Sequence, residues 1–257
     1  MKNYILNIKL VKDEVNPSVT ISVPSNFTFA DLHYAIQMLS NWWCEHFGYF
    51  VSHKEFLREE EFRHGNFDKK SISDLRYIPL ISQIEEITDT YDEGWAEGRN
   101  LIEWRTKTLK SYFNIEKILH YYYDTGDGWE CLIELKDTSD QEINYPIVIE
   151  NKDIWPAEDS RGQNKKINQT YAKIIKGEKV SGQSLNILIH AFRNGWSGPM
   201  DIKLVNFRLK EFFEQNLNQR IAVYDNNCLI QDYFNPFSNV CKIEQLISYI
   251  DSKPKMN

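Results

Sequence analysis

Tyr121-Tyr122-Tyr123-Asp124-Thr125-Gly126-Asp127-Gly128-Trp129-Glu130 is the stretch on which the fold turns. Three aromatic residues come first, then two carboxylates and two glycines within five positions, then a tryptophan. Upstream, residues 115–123 are rich in the aromatic and β-branched side chains that suit a pleated, half-buried surface. Downstream, Trp129, Cys131, Ile133 and Leu135 alternate with Glu130, Glu134 and Lys136, the period of a strand with one buried face. The link between the two runs ends in Asp127-Gly128, a strong hairpin signal because glycine takes positive φ without a Cβ clash. The carboxylates have two readings. The plainer one, which we favour, is turn chemistry, which by itself accounts for Asp and Gly at such a bend. The other is that Asp124 and Asp127, with Trp129 beside them, line a ligand or ion site.

Working outward, the N-terminal side adds two more strands. Tyr4, Leu6, Ile8 and Leu10 alternate with Ile5, Asn7 and Lys9, and Val19, Ile21 and Val23 alternate with Thr20 and Ser22. Asn16-Pro17 marks the turn between them, so the two are expected to pair. A helix follows. Thr28 and Asp31 have the spacing of a capping box, and Phe29, Leu32, Ile36, Leu39 and Trp43 fall on one helical face. Residues 49–52 read as a short strand, and residues 54–70, with Glu59-Glu60-Glu61, as a solvated loop or helix end. Residues 72–86 carry a short strand and a helix start, residues 90–104 read as loop, and residues 108–113 as a helical turn. Another strand is expected over 145–149, before the polar turn that holds Glu158 and Asp159.

Past Gly162 the patterning becomes helical. Candidate helices cover residues 165–176, 184–192 and 201–215, the last with a stripe of Ile202, Val205, Leu209 and Phe212. A small hairpin over 220–233 and a helix over 243–250 complete the chain. The expected architecture is α+β: a mainly antiparallel sheet with packed helices over residues 1–165, and a mostly helical C-terminal extension over 166–257.

Composition narrows the function. The chain has 257 residues, 42% hydrophobic and 26% charged, within the range of an ordinary globular protein. Its formal net charge of −7 argues against a dedicated nucleic-acid binder. No apolar run reaches the ~20 residues of a membrane span, and the N-terminus leads straight into a strand pattern without a hydrophobic signal region. Cys44, Cys131, Cys228 and Cys241 are scattered without a CxxC pair, which points to reduced thiols and a cytoplasmic setting. A P-loop, a GxSxG elbow, an HExxH and a GxGxxG are all absent, and no cofactor is expected. His33 and His46 read most simply as hydrogen-bonded histidines at the edge of the core.

Three blocks together resemble the plasmid pRiA4b ORF-3-like family, which includes a TnpR-named passenger protein of an insertion element. Residues 27–37, with Leu32-His33 and Ile36-Gln37, are similar to the family's L-H-x-x-I-Q helix. Residues 121–130 resemble its Y-x-Y-D-x-G-D-x-W hairpin, and residues 156–162 its P-P-E-D-x-G-G turn. Order and spacing agree over about residues 1–165. The chain departs from the pattern at Ser18-Val19-Thr20, where the family often has Trp-Arg, and at Arg161-Gly162, where it has a glycine pair. The resemblance implies an α+β fold and no particular activity. Nothing in the chain has a serine- or tyrosine-recombinase arrangement.

Two functions follow as expectations. The first is a cytoplasmic binding or adaptor protein associated with mobile elements, with another protein as its partner. The second is a metal-dependent enzyme or metal-binding protein, whose carboxylates and imidazole would hold a divalent cation or divide acid and base roles. The candidate residues are His33, Asp124, Asp127, Trp129, Glu158 and Asp159, with Glu158 or Asp159 expected near the 124–129 loop.

Overall fold

The computed structural model describes residues 2–42, 44, 46–64, 80–82, 101–160, 162–193, 196 and 198–214. Over these the chain is α+β. It forms two compact units: Met1–Lys12, Ser18–Ile36 and His46–Asn151 make the first, and Asp13–Pro17, Gln37–Glu45 and Lys152–Asn257 the second.

The described strands are β1 (Asn3–Val11), β2 (Ser18–Pro24), β3 (Gly48–Ser52), β4 (Leu80–Ser82), β5 (Leu101–Glu103), β6 (Ile118–Tyr123), β7 (Trp129–Ser139) and β8 (Ile147–Lys152). They form one sheet in the order β5-β4-β3-β6-β7-β1-β2-β8. The hairpins β1–β2 and β6–β7 are antiparallel, as the short connections require, and β1–β7, β3–β6 and β3–β4 are antiparallel as well. The three-residue strands β4 and β5 pair in parallel. The short helices and strands around them read less clearly in the sequence: β5 falls inside residues expected to be loop.

Period two sets the two faces. One row across the sheet is Leu10, Cys131, Tyr121 and Phe50, all fully buried. The adjacent row on the opposite face is Val11, Glu130, Tyr122 and Tyr49. Helix α1 (Phe29–Ser40) packs over the first face, setting Phe29 edge-on to Phe50 with ring centroids 5.2 Å apart. Its start is the capping box: the Thr28 amide donates to Asp31 Oδ2 at 2.9 Å, and the Asp31 amide donates back to Thr28 Oγ1 at 3.2 Å.

Helix α2 (His53–His64) occupies much of the stretch expected to be a solvated loop or helix end, and is a longer helix than that reading allowed. The charge run hid it, because its apolar face is thin; what starts it is Ser52, whose Oγ accepts from the Glu55 amide at 3.2 Å. Helix α3 (Leu109–Phe113) is capped by Thr108 and buries Leu109, Tyr112 and Phe113.

The second unit holds helices α4 (Asn164–Ile175), α5 (Gly182–Arg193) and α6 (Ile202–Phe213), with Asp201 as the side-chain cap of α6. Its core gathers Ile167, Ile174, Leu188, Phe192 and Trp196. Two indole N–H groups tie its turn down: Trp42 donates to the Pro156 carbonyl and Trp196 to the Trp155 carbonyl, each at 3.2 Å. The hairpin expected over 220–233 and the helix over 243–250 lie outside the described residues. Among the described residues no helix is long and apolar enough to cross a membrane.

Candidate functional site

The β6–β7 hairpin is built as its turn residues dictate. Tyr123 pairs with Trp129, leaving a five-residue loop. Asp124 takes the left-handed conformation (φ 57°), which aspartate tolerates better than most residues, and Gly128 takes φ 64°. The Asp124 side chain folds back over the loop, and its Oδ1 accepts from the amides of Gly126 (2.9 Å) and Asp127 (3.1 Å). Asp124 is buried, Asp127 half-buried and Trp129 buried in the core. The other Asp124 oxygen lies 3.8 Å from His46 Nε2. The His46 amide donates to the Tyr123 hydroxyl, and the two rings meet edge to face. His46 is thus the imidazole closest in role to the one sought at this loop, and its position before β3 in sequence gave no sign of it.

His33, the imidazole singled out in the sequence, is instead sealed under α1. Its Nδ1 is 2.8 Å from the Tyr121 hydroxyl. Trp104 lies tilted over the ring at 4.5 Å, and Tyr34 and Tyr121 meet it edge-on. Burial holds its pKa down to about 3, so it is neutral across the physiological range. Gly48 is required here: a Cβ on it would come within 3.0 Å of the Tyr121 hydroxyl and 3.1 Å of the His33 ring. Cys131 lies under the same face, and burial raises its thiol pKa; neither it nor Cys44 is in a disulfide. Cys228 and Cys241 lie outside the described residues.

Glu158 and Asp159 belong to the second unit. Glu158 is buried, while Asp159 is exposed and takes φ 53°. The turn they form is closed by the Ser160 hydroxyl donating to the Ala157 carbonyl at 2.5 Å, and it leads directly into α4. There the buried Asn164 donates through Nδ2 to Asp13 at 2.9 Å.

A fourth cluster was not foreseen. On the face of the sheet opposite α1, His120 Nε2 lies 2.9 Å from His53 Nδ1, and His120 Nδ1 lies 3.5 Å from Glu130 Oε1. Glu130 Oε2 in turn meets Lys12 Nζ at 2.6 Å. Phe56 stacks on the His120 ring at 3.8 Å. Burial pushes the Glu130 carboxyl up, but the polar contacts and charge of His120 and Lys12 outweigh it and hold it below the usual range. Lys12 just after β1, His53 on α2, His120 on β6 and Glu130 on β7 thus form one polar line. In the sequence, Glu130 and His120 sit at the polar positions of alternating strands, where solvent exposure is the default reading. The hairpin register places Glu130 on the same face as His120, and the partners that complete the line, Lys12 and His53, come from distant parts of the chain.

A family model described as "Plasmid pRiA4b ORF-3-like protein" matches residues 2–179. Among solved structures, the chain is similar to a protein of unknown function from Methanosarcina mazei Go1, MM3350, at 24% identity and a TM-score of 0.48; the match covers 74% of this chain and 88% of that one. No curated protein matches the chain. The chain belongs to the pRiA4b ORF-3-like family.

Proposed function

We propose that this member of the family is a binding or adaptor protein of the cytoplasm that works in a mobile-element setting, with another protein as its partner. The mobile-element part rests on the plasmid in the family's description. The observation that carries the binding part is the fate of the family residues in the first unit. The Oδ1 of Asp124 is taken up by loop amides, His33 faces the Tyr121 hydroxyl in a buried nest, and Trp129 is core. Such residues hold a shape rather than turn over a substrate. The same hairpin and β3 set Tyr49 and Tyr122 side by side, stacked with centroids 5.0 Å apart and both half-buried. An aromatic pair on a sheet face supplies contact area at low entropic cost.

In-cell crosslinking of the tagged full chain tests this. A discrete crosslinked protein partner is expected, and Tyr49→Ala with Tyr122→Ala should remove it while near-ultraviolet circular dichroism stays native. A crosslinking pattern unchanged by the double substitution would overturn the reading.

One observation favours the metal-binding alternative: an imidazole nitrogen and a carboxylate oxygen, His46 Nε2 and Asp124 Oδ2, face each other at 3.8 Å. Nitrogen and oxygen donors suit borderline divalent ions. Elemental analysis of the purified full chain would show a stoichiometric metal that is lost in Asp124→Asn and in His46→Gln; a metal-free protein that takes up none on addition removes this alternative.

A further inference from the structure

His53 and His120 meet nitrogen to nitrogen. Their planes are 9° from parallel and their centroids 5.3 Å apart, the separation two imidazoles reach when they lie in one plane with the facing nitrogens in line. The 2.9 Å between those nitrogens is a hydrogen-bond distance. It is too short to hold a metal ion, since two zinc–nitrogen bonds in line span about 4 Å. One proton fits the space.

The neighbours decide who donates it. The Glu130 carboxylate, 3.5 Å from His120 Nδ1 without a hydrogen bond between them, favours the hydrogen on that nitrogen by its charge, so Nε2 presents a lone pair. His53 Nδ1 then donates; a first added proton, at His53 Nε2, leaves that bond in place, and it is a second one, at His120 Nε2, that sets two hydrogens face to face. The mechanical consequence lies in α2. His53 and Phe56 are both on its first turn, and both rest on the His120 imidazole, one in its plane and one on its face. The remainder of the described first turn is tied by polar contacts: the His53 amide to the Tyr112 hydroxyl at 3.4 Å, the Lys54 amide to Glu116 at 3.4 Å and the Glu55 amide to Ser52 Oγ at 3.2 Å.

We propose that the His53–His120 pair is a proton-operated latch on α2: it is closed with one proton between the two facing nitrogens and opens when each of them carries one. Two N–H groups directed at each other at this distance cannot share a bond, and both rings are then cations. The surrounding charges do not cancel that conflict. Glu130 already shares its charge with Lys12. The Tyr112 hydroxyl, whose single hydrogen goes to the Ile118 carbonyl at 2.6 Å with Glu116 3.2 Å away, stays neutral because burial raises its pKa. On α2 itself, Glu55 is engaged by Arg58. From β3 and β7, the neighbours of His120 are Val51 and Leu132, which carry no charge. Burial and the nearby His120 lower the His53 pKa, and Glu116 only partly opposes them. The sign follows: a base whose pKa is lowered in the docked state favours docking above the ordinary imidazole range and disfavours it as pH falls below that range.

Hydrogen exchange of the full chain at pH 7 and pH 4.5, read as protection factors, tests the latch. Protection of α2 amides should fall at pH 4.5 about ten-fold or more beyond the fall that α1 and β6 share through the loss of overall stability. His53→Gln is the decisive variant, because its amide can flip to donate to or accept from His120 in either protonation state. It should remove that excess, so that α2 protection changes between the two pH values only as much as that of α1 and β6. A wild-type α2 that falls no further than α1 and β6, or an equal excess in His53→Gln, would overturn the proposal. If that variant fails to fold, imidazole nitrogen spectra of the wild type decide: two coupled steps are expected for His53 and His120, and two independent titrations refute it.

Discussion

On the α1 side of the sheet, His33 is 1% exposed, bonded to the Tyr121 hydroxyl and enclosed by Trp104, Tyr34 and Tyr121. On the opposite side, His120 is 3% exposed, yet its two nitrogens lead to His53 and to Glu130, and from there to Lys12, which is largely exposed. Equal burial has opposite consequences. A histidine closed in by rings stays neutral and works as packing. A histidine linked by hydrogen bonds to groups at the surface stays responsive to what happens there. Degree of burial alone does not say which kind a residue is; the path from its nitrogens does.

The largest expected effect belongs to the packed face. Trp129 lies in the row of Tyr123 and Gly48 and is 4% exposed. Trp129→Ala should lower unfolding stability by about 3–5 kcal/mol, the cost of emptying a large aromatic site. Urea denaturation measures it; an unshifted midpoint would mean that this face is not the rigid one. Next comes pH. His33 has a folded pKa near 3, well below its unfolded value of about 6.5. Between those values the unfolded chain binds the extra proton, so stability is full above about pH 6.5 and declines as pH falls toward 3. Between pH 7 and pH 5 this one residue should remove about 2 kcal/mol. His33→Gln should flatten that part of the stability–pH curve; a slope the same as wild type would show that His33 is not the closed histidine described.

A smaller effect is expected at Gly48. Its added Cβ would press on the Tyr121 hydroxyl and the His33 ring, at 3.0 and 3.1 Å. Gly48→Ala should cost about 1–3 kcal/mol if the nest is rigid. A neutral result would mean that the aromatic rings yield.

The sequence shows the two faces unequally. The buried face is legible because its chemistry is local: alternating Leu6, Ile8 and Leu10, or Cys131 and Ile133, announce an inward side, and Thr28 with Asp31 announces the start of α1. Asp124 and Gly128 announce the turn, and Trp129 its buried flank. The opposite face is not legible, because its polar residues gain meaning only from partners far away in the chain. Glu130 meets Lys12 and His120, and His120 meets His53, through register and not through spacing. Helix α2 was hidden for a related reason. Its described packing onto the sheet rests on Phe56 over an imidazole, a contact that no hydrophobic stripe advertises.

The smallest effect tests the outer end of the polar line. Lys12 is 62% exposed at its side chain, and Glu130 only 4%. An ordinary surface pair contributes about 0–1 kcal/mol and fades with salt. This pair differs in one respect: removing the ammonium leaves a buried carboxylate supported by His120 alone. Lys12→Met is the suitable substitution. It keeps the aliphatic stem, and it keeps a Cβ at a residue that already has φ 62°, so backbone strain is unchanged, as it would not be with glycine. The expected loss is about 1 kcal/mol at pH 7, at the upper end for an exposed lysine. Because the Glu130 carboxyl is held below its ordinary range, the Lys12 contribution is present above that range and disappears as pH falls and the carboxyl protonates. Unfolding curves for wild type and Lys12→Met should therefore separate at neutral pH and converge in acid. Curves that coincide at pH 7 in low salt would show that Glu130 does not depend on Lys12, and that the polar line ends at the carboxylate instead of reaching the surface.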